Sequence, residues 1–401
     1  MPKPTADTSA QVEPSVKVSP KGSARLKAGH PWVYRSDLVA STEIKPGSLV
    51  RVTDLRGKFL GTALYSSSSQ IAIRMITDEP VKDLPALIAS RVRAAIAYRK
   101  KFVIDSDAFR VVFSEADFLP GLIVDRYNDV LSVQILTQAM DTEPVRGTVV
   151  ETLVEELKPA GIYERVDARI RELEQLPPRA SGLMWGQKNS TVVAMNAGVR
   201  FHYDAPEGQK TGSFLDQREN YAAAAQYARG EALDVFCYQG GFALHLASRC
   251  ANVTGVDSSR PALEMADKNA ALNGREVEWI EANAFDLLKD YSSSGRHYDT
   301  IVLDPPAFAK TKRDLDKAMR GYKELNLRAM KMLRPGGVLV TCSCSFHVSA
   351  PDFLEVVADA ARDAHRSLRL VENRGQAKDH PVLLNVPETS YLKCLIFSVN
   401  D

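Results

Sequence analysis

Three short runs near the N-terminus, GSLVRVTD, KFLGTALY and QIAIRMIT, alternate apolar and polar residues. Side chains of a strand point to opposite faces in turn, so this period predicts half-buried strands. Gly, Ser and Asp break the runs, and LRGK (Leu55–Lys58) reads as the hairpin turn between the first two. A small β-barrel of about 70 residues fits this pattern. LPALIASRVRAAIAYRKKF follows as a helix ending in the basic cluster Arg99, Lys100 and Lys101. FRVVFSEADFLPGLIVDRYNDVLSVQIL holds two strand-like runs, and EPVRGTVVETLVEELKP carries apolar residues near helical spacing. GIYERVDARIRELEQL and a strand pair near TVVAMNAGVRFHYDA complete an α+β middle region.

From about Glu207 strands and helices alternate, which predicts a parallel sheet covered by helices. The strands are read in EALDVFC, NVTGVD, VEWIEA, YDTIVLD, GGVLVTCS and YLKCLIFSV. The chain is thus read as α/β overall. It has a polar, Pro-rich, disordered lead-in over 1–14, a barrel over 15–85, a middle α+β domain over 86–205 and an α/β domain over 206–401. Ligands of such sheets gather at the C-terminal ends of the strands.

Composition narrows the class. At 45% apolar and 25% charged residues the chain is ordinary for a soluble globular protein. Five cysteines without paired spacing predict reduced thiols and a cytoplasmic location. No signal peptide or bilayer-spanning run is legible. The net charge of +1 hides an asymmetry: from Lys17 to Lys101, 16 basic residues face 6 acidic ones. A basic N-terminal third predicts a polyanionic partner, and nucleic acid is favoured over a merely solvated surface. Trp32, Tyr34 and Arg35 lie among the basic residues of KGSARLKAGHPWVYRSDL, where aromatic rings can stack bases. A packed Trp32 at a barrel edge is the competing expectation.

The chemistry sits at strand ends. The turn FCYQGG (Phe236–Gly241, with Tyr238, Gly240 and Gly241) allows close backbone approach to a ligand but is not the diphosphate fingerprint G-x-G-x-x-G. Asp257 ends the second strand 16 residues after Gly241, beside Ser258, and suits the two hydroxyls of a ribose. A nucleoside-type cofactor without diphosphate, S-adenosylmethionine (SAM), fits both. DPPAF (Asp304–Phe308) sets a carboxylate and the rigid corner Pro305-Pro306 beside that cofactor. Asp304 can bond a ring nitrogen or exocyclic amine, Phe308 can stack on a base, and Lys310 follows two residues later. The next strand runs out into TCSCSFHVS (Thr341–Ser349). Cys-x-Cys with one His lacks the second ligand pair of a structural zinc site, so no metal is expected. A thiolate adding to C6 of a pyrimidine would make C5 nucleophilic enough to take a methyl group. Cys342 and Cys344 share one face of a continuing strand, so pattern alone does not separate nucleophile from core filler.

FSEADFLPGLIVDRY, KTGSFLDQREN, DVFCYQGGFALHLA, LDPPAFAK, SCS and DHPVLLNVPETSYLK together resemble the bacterial 23S rRNA cytosine-C5 methyltransferases. The resemblance runs from about Val16 to Val399 and is specific as a set, although DPPAF alone is shared with many methyltransferases. It implies a PUA-like barrel joined to a Rossmann-like class I methyltransferase domain, SAM as methyl donor, and 23S rRNA or a large-subunit precursor as acceptor. By the same resemblance Cys344 is the nucleophile of SCS, and Phe214, Asp216, Gln217 and Arg218 of FLDQR lie by the cofactor. Asp257 is the ribose acid. Asn283, next to Ala284, stands where relatives carry an Asp against the adenine amine. Glu388 in PETSYLK is one candidate for the base that removes the C5 proton, with Asp304 or water as alternatives. Methylation of an exocyclic amine, and a non-catalytic RNA-binding module, are the competing functions. The nucleotide methylated stays open. A homodimer is compatible with the sequence, which fixes no interface.

Overall fold

The computed structural model describes residues 14–41, 43–206, 213–309 and 311–400. The expected lead-in lies almost wholly outside them, as does Lys310. The N-terminal elements are β1 (Ser15–Val18), α1 (Pro20–Lys27), β2 (Trp32–Tyr34), β3 (Leu38–Ser41), β4 (Leu49–Thr53), β5 (Phe59–Tyr65) and β6 (Ile71–Thr77). They form a nearly closed, barrel-like six-stranded sheet in the order β2-β6-β5-β4-β1-β3. Alternation drives the closure: Val16, Val18, Val50, Val52, Ala63 and Ile73 point inward and are fully or almost fully buried. LRGK is the predicted hairpin turn, where Asp54 Oδ1 accepts from the backbone N–H of Arg56 and of Lys58, each at 2.9 Å.

Next come α2 (Leu84–Phe102), β7 (Ala108–Phe113), β8 (Leu122–Tyr127), β9 (Val130–Ile135), α3 (Glu143–Leu157), β10 (Gly161–Glu164), α4 (Ala168–Leu173), β11 (Gly182–Gly186), β12 (Ser190–Met195) and β13 (Val199–Asp204). Strands β11-β10-β9-β8-β7 make a sheet. Its apolar face is covered by α2 and α3 through Ile88, Val92, Ile96, Val145, Val149 and Leu153. The hairpin β12–β13 closes on it, with Tyr203 stacked on Tyr127 at 3.6 Å.

The C-terminal elements are α5 (Arg218–Tyr227), β14 (Glu231–Val235), α6 (Gly241–Leu246), β15 (Asn252–Asp257), α7 (Arg260–Leu272), β16 (Glu278–Glu281), α8 (Ala284–Ser293), β17 (Tyr298–Leu303), α9 (Leu315–Met332), β18 (Leu333–Ser343), α10 (Ala350–Asp363), β19 (Ser367–Arg374) and β20 (Lys393–Asn400). Their seven-stranded sheet has the order β16-β15-β14-β17-β18-β20-β19. The first five strands of that order are parallel, and β20 runs antiparallel between β18 and β19. From β14 the chain moves outward to β15 and later returns to β17 on its other side, so the switch point lies between β14 and β17. This is the Rossmann-like arrangement expected. Helices α8, α9 and α10 cover one face, and α5 and α6 the other. The sequence reading lacked β19. That strand is an exposed edge whose SLRLVENR mixes apolar and charged residues without clean alternation.

Buried polar groups join the middle and C-terminal parts. Asp379 accepts from Arg218 Nη2 at 3.0 Å and from the Arg110 backbone N–H at 2.7 Å. Its carbonyl accepts from Arg99 Nη2 at 2.8 Å. Among the described residues, no helix is long and apolar enough to cross a membrane.

Candidate active site

The loop between β14 and α6 is held in a conformation that few residues adopt. Phe236, Tyr238 and Gly240 have φ of 70°, 49° and 86°. Left-handed geometry at two non-glycine residues costs about 1 kcal/mol or more each, and such strain collects at ligand sites. The Phe236 and Cys237 N–H groups are tied to the Val256 carbonyl at 2.9 and 3.0 Å. The Tyr238 N–H donates to Asp257 Oδ2 at 2.9 Å, and the Ser259 N–H to Oδ1 at 2.9 Å. Each Asp257 oxygen thus keeps a lone pair for a ribose hydroxyl. Gly241 meets the Tyr221 ring so closely that a Cβ there would lie 2.5 Å from it. Phe214 reaches the loop from outside and sets its ring edge-on to Tyr238 at 5.1 Å.

Four carboxylates surround this loop. Asp234 is buried at the end of β14 and accepts from the Ala243 N–H at 2.8 Å. Burial pushes it up to about 8, with Asp304 and Asp257 adding repulsion against the Ala243 hydrogen bond. Asp304 follows β17 and accepts from Gln217 Nε2 at 2.9 Å. Burial, then the charge of Asp216, raise it to about 7 against that hydrogen bond. Asp216 accepts from the Tyr391 hydroxyl at 2.5 Å. A concentration of mutually repelling carboxylates suits a cationic ligand. SAM carries a sulfonium and an ammonium, so the residues present fit it: Asp257 for the ribose, the Phe236–Gly241 loop for close approach, and Asp216, Asp234 and Asp304 for charge.

The strand break between the two cysteines decides their surroundings. Strand β18 ends at Ser343. Cys342 lies within it opposite Cys394 and is fully buried against Tyr221 and Phe242. Burial pushes its thiol well up, reinforced by Cys394. Cys344 lies past the strand, partly exposed, with Sγ 3.9 Å from the Pro305 carbonyl oxygen. The flanking serines hold that turn. Ser343 Oγ and Ser345 Oγ each lie 2.9 Å from the Tyr322 hydroxyl, and Ser345 Oγ accepts from the Ala309 N–H at 3.2 Å. Lys393 Nζ donates to the carbonyls of Ser345, Val348 and Tyr391 at 2.7, 2.9 and 2.9 Å.

The structure therefore brings together Phe214, Asp216, Gln217, Phe236, Tyr238, Gly240, Gly241, Asp257, Asp304, Pro305 and Cys344. Ser258 and Pro306 are exposed at the rim, and Ala284 is buried in the first turn of α8. Other expectations are corrected. Arg218 is 1% exposed, and its guanidinium is spent on Asn196, Glu219 and Asp379, so it braces the fold and does not face a cofactor. Asn283 caps α8, its Oδ1 accepting from the Phe285 and Asp286 N–H groups at 2.9 and 3.4 Å, so both lone pairs of that acceptor are engaged. Phe308 packs on Tyr322 and Phe285 at 4.8 and 5.9 Å and is not an open stacking platform. Glu388 meets His30 Nε2 of the barrel at 3.2 Å, a contact between domains. Trp32 is half-buried, its indole N–H donating to Glu115 at 3.2 Å. Arg35 spends its guanidinium on the Ser66 and Ser69 carbonyls. The sequence reading missed Tyr322, Tyr391 and Lys393. The signal for Lys393 was a lysine at the head of a strand, directly before the apolar run Cys394–Phe397. A cavity of about 450 Å³ lies in the middle domain between α3 and β11. Its Arg146 pairs with Glu164 and its Arg179 with Glu143, and none of its lining residues belongs to this site.

The comparisons agree with this layout. The profile of a PUA-like domain matches residues 16–78, and that of an S-adenosylmethionine-dependent methyltransferase matches 118–398. Proteins named ribosomal RNA large subunit methyltransferase I are similar along nearly the whole chain. The one from Shewanella denitrificans is 39% identical, over 96% of this chain and 99% of its own. The one from Alteromonas mediterranea is 36% identical over the same shares, 96% and 99%. The solved structure of SMU.776, described as a methyltransferase complexed with SAH, superposes with a TM-score of 0.81 at 18% identity, covering 96% of this chain and 99% of that one. A SAM-dependent methyltransferase from Streptococcus mutans gives 0.80 at 18% identity with the same coverage, 96% and 99%. With the profile spanning the carboxylate site and the relatives spanning the chain, this protein belongs to the S-adenosylmethionine-dependent methyltransferases that carry an N-terminal PUA-like domain.

Proposed function

We propose that this protein methylates C5 of a cytosine in 23S rRNA through a covalent adduct on Cys344. The observation that carries the reading is the position of Cys344, just past the end of β18 and against the Pro305 carbonyl of the Asp304 corner. The names of the relatives support large-subunit rRNA as the acceptor. The basic N-terminal third supports docking of a polyanion. The target base must leave its stack to reach a cleft at the strand ends. The Cys344 thiolate then adds to C6, and the electron pair of the C5=C6 bond moves toward C5. Asp304, neutral and ionised in similar measure near pH 7, supplies a proton to N3 as charge develops there. SAM would supply an electrophilic methyl group to C5, its sulfonium S–CH3 bond breaking to leave the neutral thioether S-adenosylhomocysteine. Loss of the C5 proton to water or to Asp304 restores C5=C6 and expels the thiolate, and the N3 proton is released to solvent, which leaves neutral 5-methylcytosine.

The test is methyl transfer to deproteinised rRNA by wild type and Cys344→Ala, with the product digested to nucleosides. The reading expects 5-methylcytidine from wild type and none from the variant. A methylated exocyclic amine, or a variant that still methylates, would overturn it.

A further inference from the structure

Lys393 opens β20 and lies opposite Ser343 in the antiparallel ladder. It is 8% exposed. Its Nζ has three backbone carbonyl partners, two of them, Ser345 and Val348, in the turn that follows Cys344. A neutral amine has two N–H groups, so three acceptors call for the ammonium form. Carbonyl dipoles offset only part of the cost of a buried charge, which normally takes an anionic partner. Among the described residues no carboxylate lies within ion-pair distance of Lys393, and the ionisable group acting on it is the thiol of Cys344. Burial pulls the lysine down and the Cys344 charge works in the opposite direction, which leaves it at about 8.

Among the described residues, Tyr322 and Asp304, which face Cys344 from other elements, do not supply this charge. Tyr322 on α9 holds both serines of the motif and stays neutral, raised by burial. Asp304 opposes a thiolate whenever it is ionised. His347 in the same turn has its ring against Phe346 at 5.3 Å.

We propose that Lys393 is a positioning residue for Cys344: its ammonium holds the turn after the cysteine through the carbonyls and favours the thiolate, preparing a nucleophile without a general base. This rests on the reading of Cys344 as nucleophile. The site thus couples two ionisations: the lysine is satisfied as a cation, and the thiol is offered its counter-charge.

The experiment is brief alkylation by iodoacetamide from pH 5.5 to 10 on the full chain. Modification of Cys344 is read by peptide fragmentation, which separates it from the buried Cys342. Wild type, Lys393→Met and Lys393→Arg are compared. The proposal expects the wild-type midpoint at least one unit below the ordinary thiol value of about 8.5. It expects Lys393→Met to move it up by a unit or more, so that alkylation at pH 7 slows about tenfold. Lys393→Arg should keep most of the depression. In methyl transfer, kcat should fall in Lys393→Met with KM for RNA little changed. A wild-type midpoint at or above 8.5 overturns the proposal even if Lys393→Met does not fold. An unchanged midpoint in a folded Lys393→Met overturns it as well. Methylation that persists in Cys344→Ala would remove the nucleophile reading, whereas the alkylation midpoints report the lysine–thiolate pair independently.

Discussion

At the residue scale, two cysteines with one residue between them have opposite fates. Cys342 fills the core against Cys394, and Cys344 stands in a polar turn by Pro305. Cys342→Ala removes one small buried group and is expected to cost about 1 kcal/mol, seen as a lowered Tm, with full 5-methylcytidine formation. Loss of methylation by a folded Cys342→Ala would exchange the roles. Sequence pattern left the pair unresolved because the answer depends on where β18 ends, and the hydrogen bonds of Tyr322 and Lys393 set the turn that follows. Those groups are 21 and 50 positions from Ser343 in the chain, so no local pattern reveals them. Asp304 was legible from its Pro-Pro corner, but its charge state was not, since that depends on Asp216 and Gln217 from another segment. Asp304→Asn keeps the acceptor for Gln217 and removes a carboxyl that burial penalises when ionised. The raised folded-state value means that stability falls as pH rises from the unfolded value of about 4 through about 7. The variant is therefore expected to show an equal or higher Tm at pH 8 with methyl transfer lost, and a clear fall in Tm would contradict that assignment.

At the element scale, the β14–α6 loop carries the cofactor site. Its strain and close packing follow from its place at the sheet's switch point. The glycines were legible as a close-approach turn. The left-handed geometry of Phe236 and Tyr238 was not, because tertiary ties to Val256 and Asp257 impose it against local preference. A Cβ at Gly241 would press on the Tyr221 ring, so Gly241→Ala is expected to cost about 1 to 3 kcal/mol and to weaken SAM binding in calorimetry. The carboxylate group adds a pH dependence. Asp304 and Asp234, raised to about 7 and about 8, gain charge between pH 6 and 8.5, so affinity for the cationic SAM is expected to rise across that interval. Isothermal titration without RNA measures it directly, and a flat or falling affinity would remove both carboxylates from the site. The exposed edge strand β19 escaped the sequence reading because its mixed faces satisfy neither the buried nor the half-buried pattern.

At the scale of the whole molecule, the middle and C-terminal parts meet through a buried polar joint. Asp379 joins Arg218 of α5, the backbone of β7 and, through its carbonyl, Arg99 of α2. Burial opposes its ionisation, but the charges of His380 and Arg218 prevail and hold its carboxyl well below the usual range. A depressed folded-state value contributes stability above the unfolded value of about 4, which is lost as pH falls below it. Asp379→Asn leaves the Arg218 guanidinium buried without its main counter-ion, at a cost of about 3 to 5 kcal/mol. Thermal unfolding is expected to show a large drop in Tm at pH 7 that narrows toward pH 3. An unchanged Tm would contradict the joint. The order of the parts was legible from the change in hydrophobic period along the chain. The joints were not: Trp32, Arg35, Arg218 and Glu388 carry residue types that suit ligands and instead serve contacts between segments far apart in sequence.

The proposed mechanism turns on a covalent bond between Cys344 and C6 of a cytosine. Its most direct test is incubation with SAM and rRNA carrying 5-fluorocytosine, where the fluorine cannot leave C5 as a proton does and the adduct is retained. A complex is expected that survives denaturation, that maps by peptide mass to Cys344, and that is absent from Cys344→Ala. A methylated 5-fluorocytosine product without a retained complex, or a complex on another residue, would contradict it.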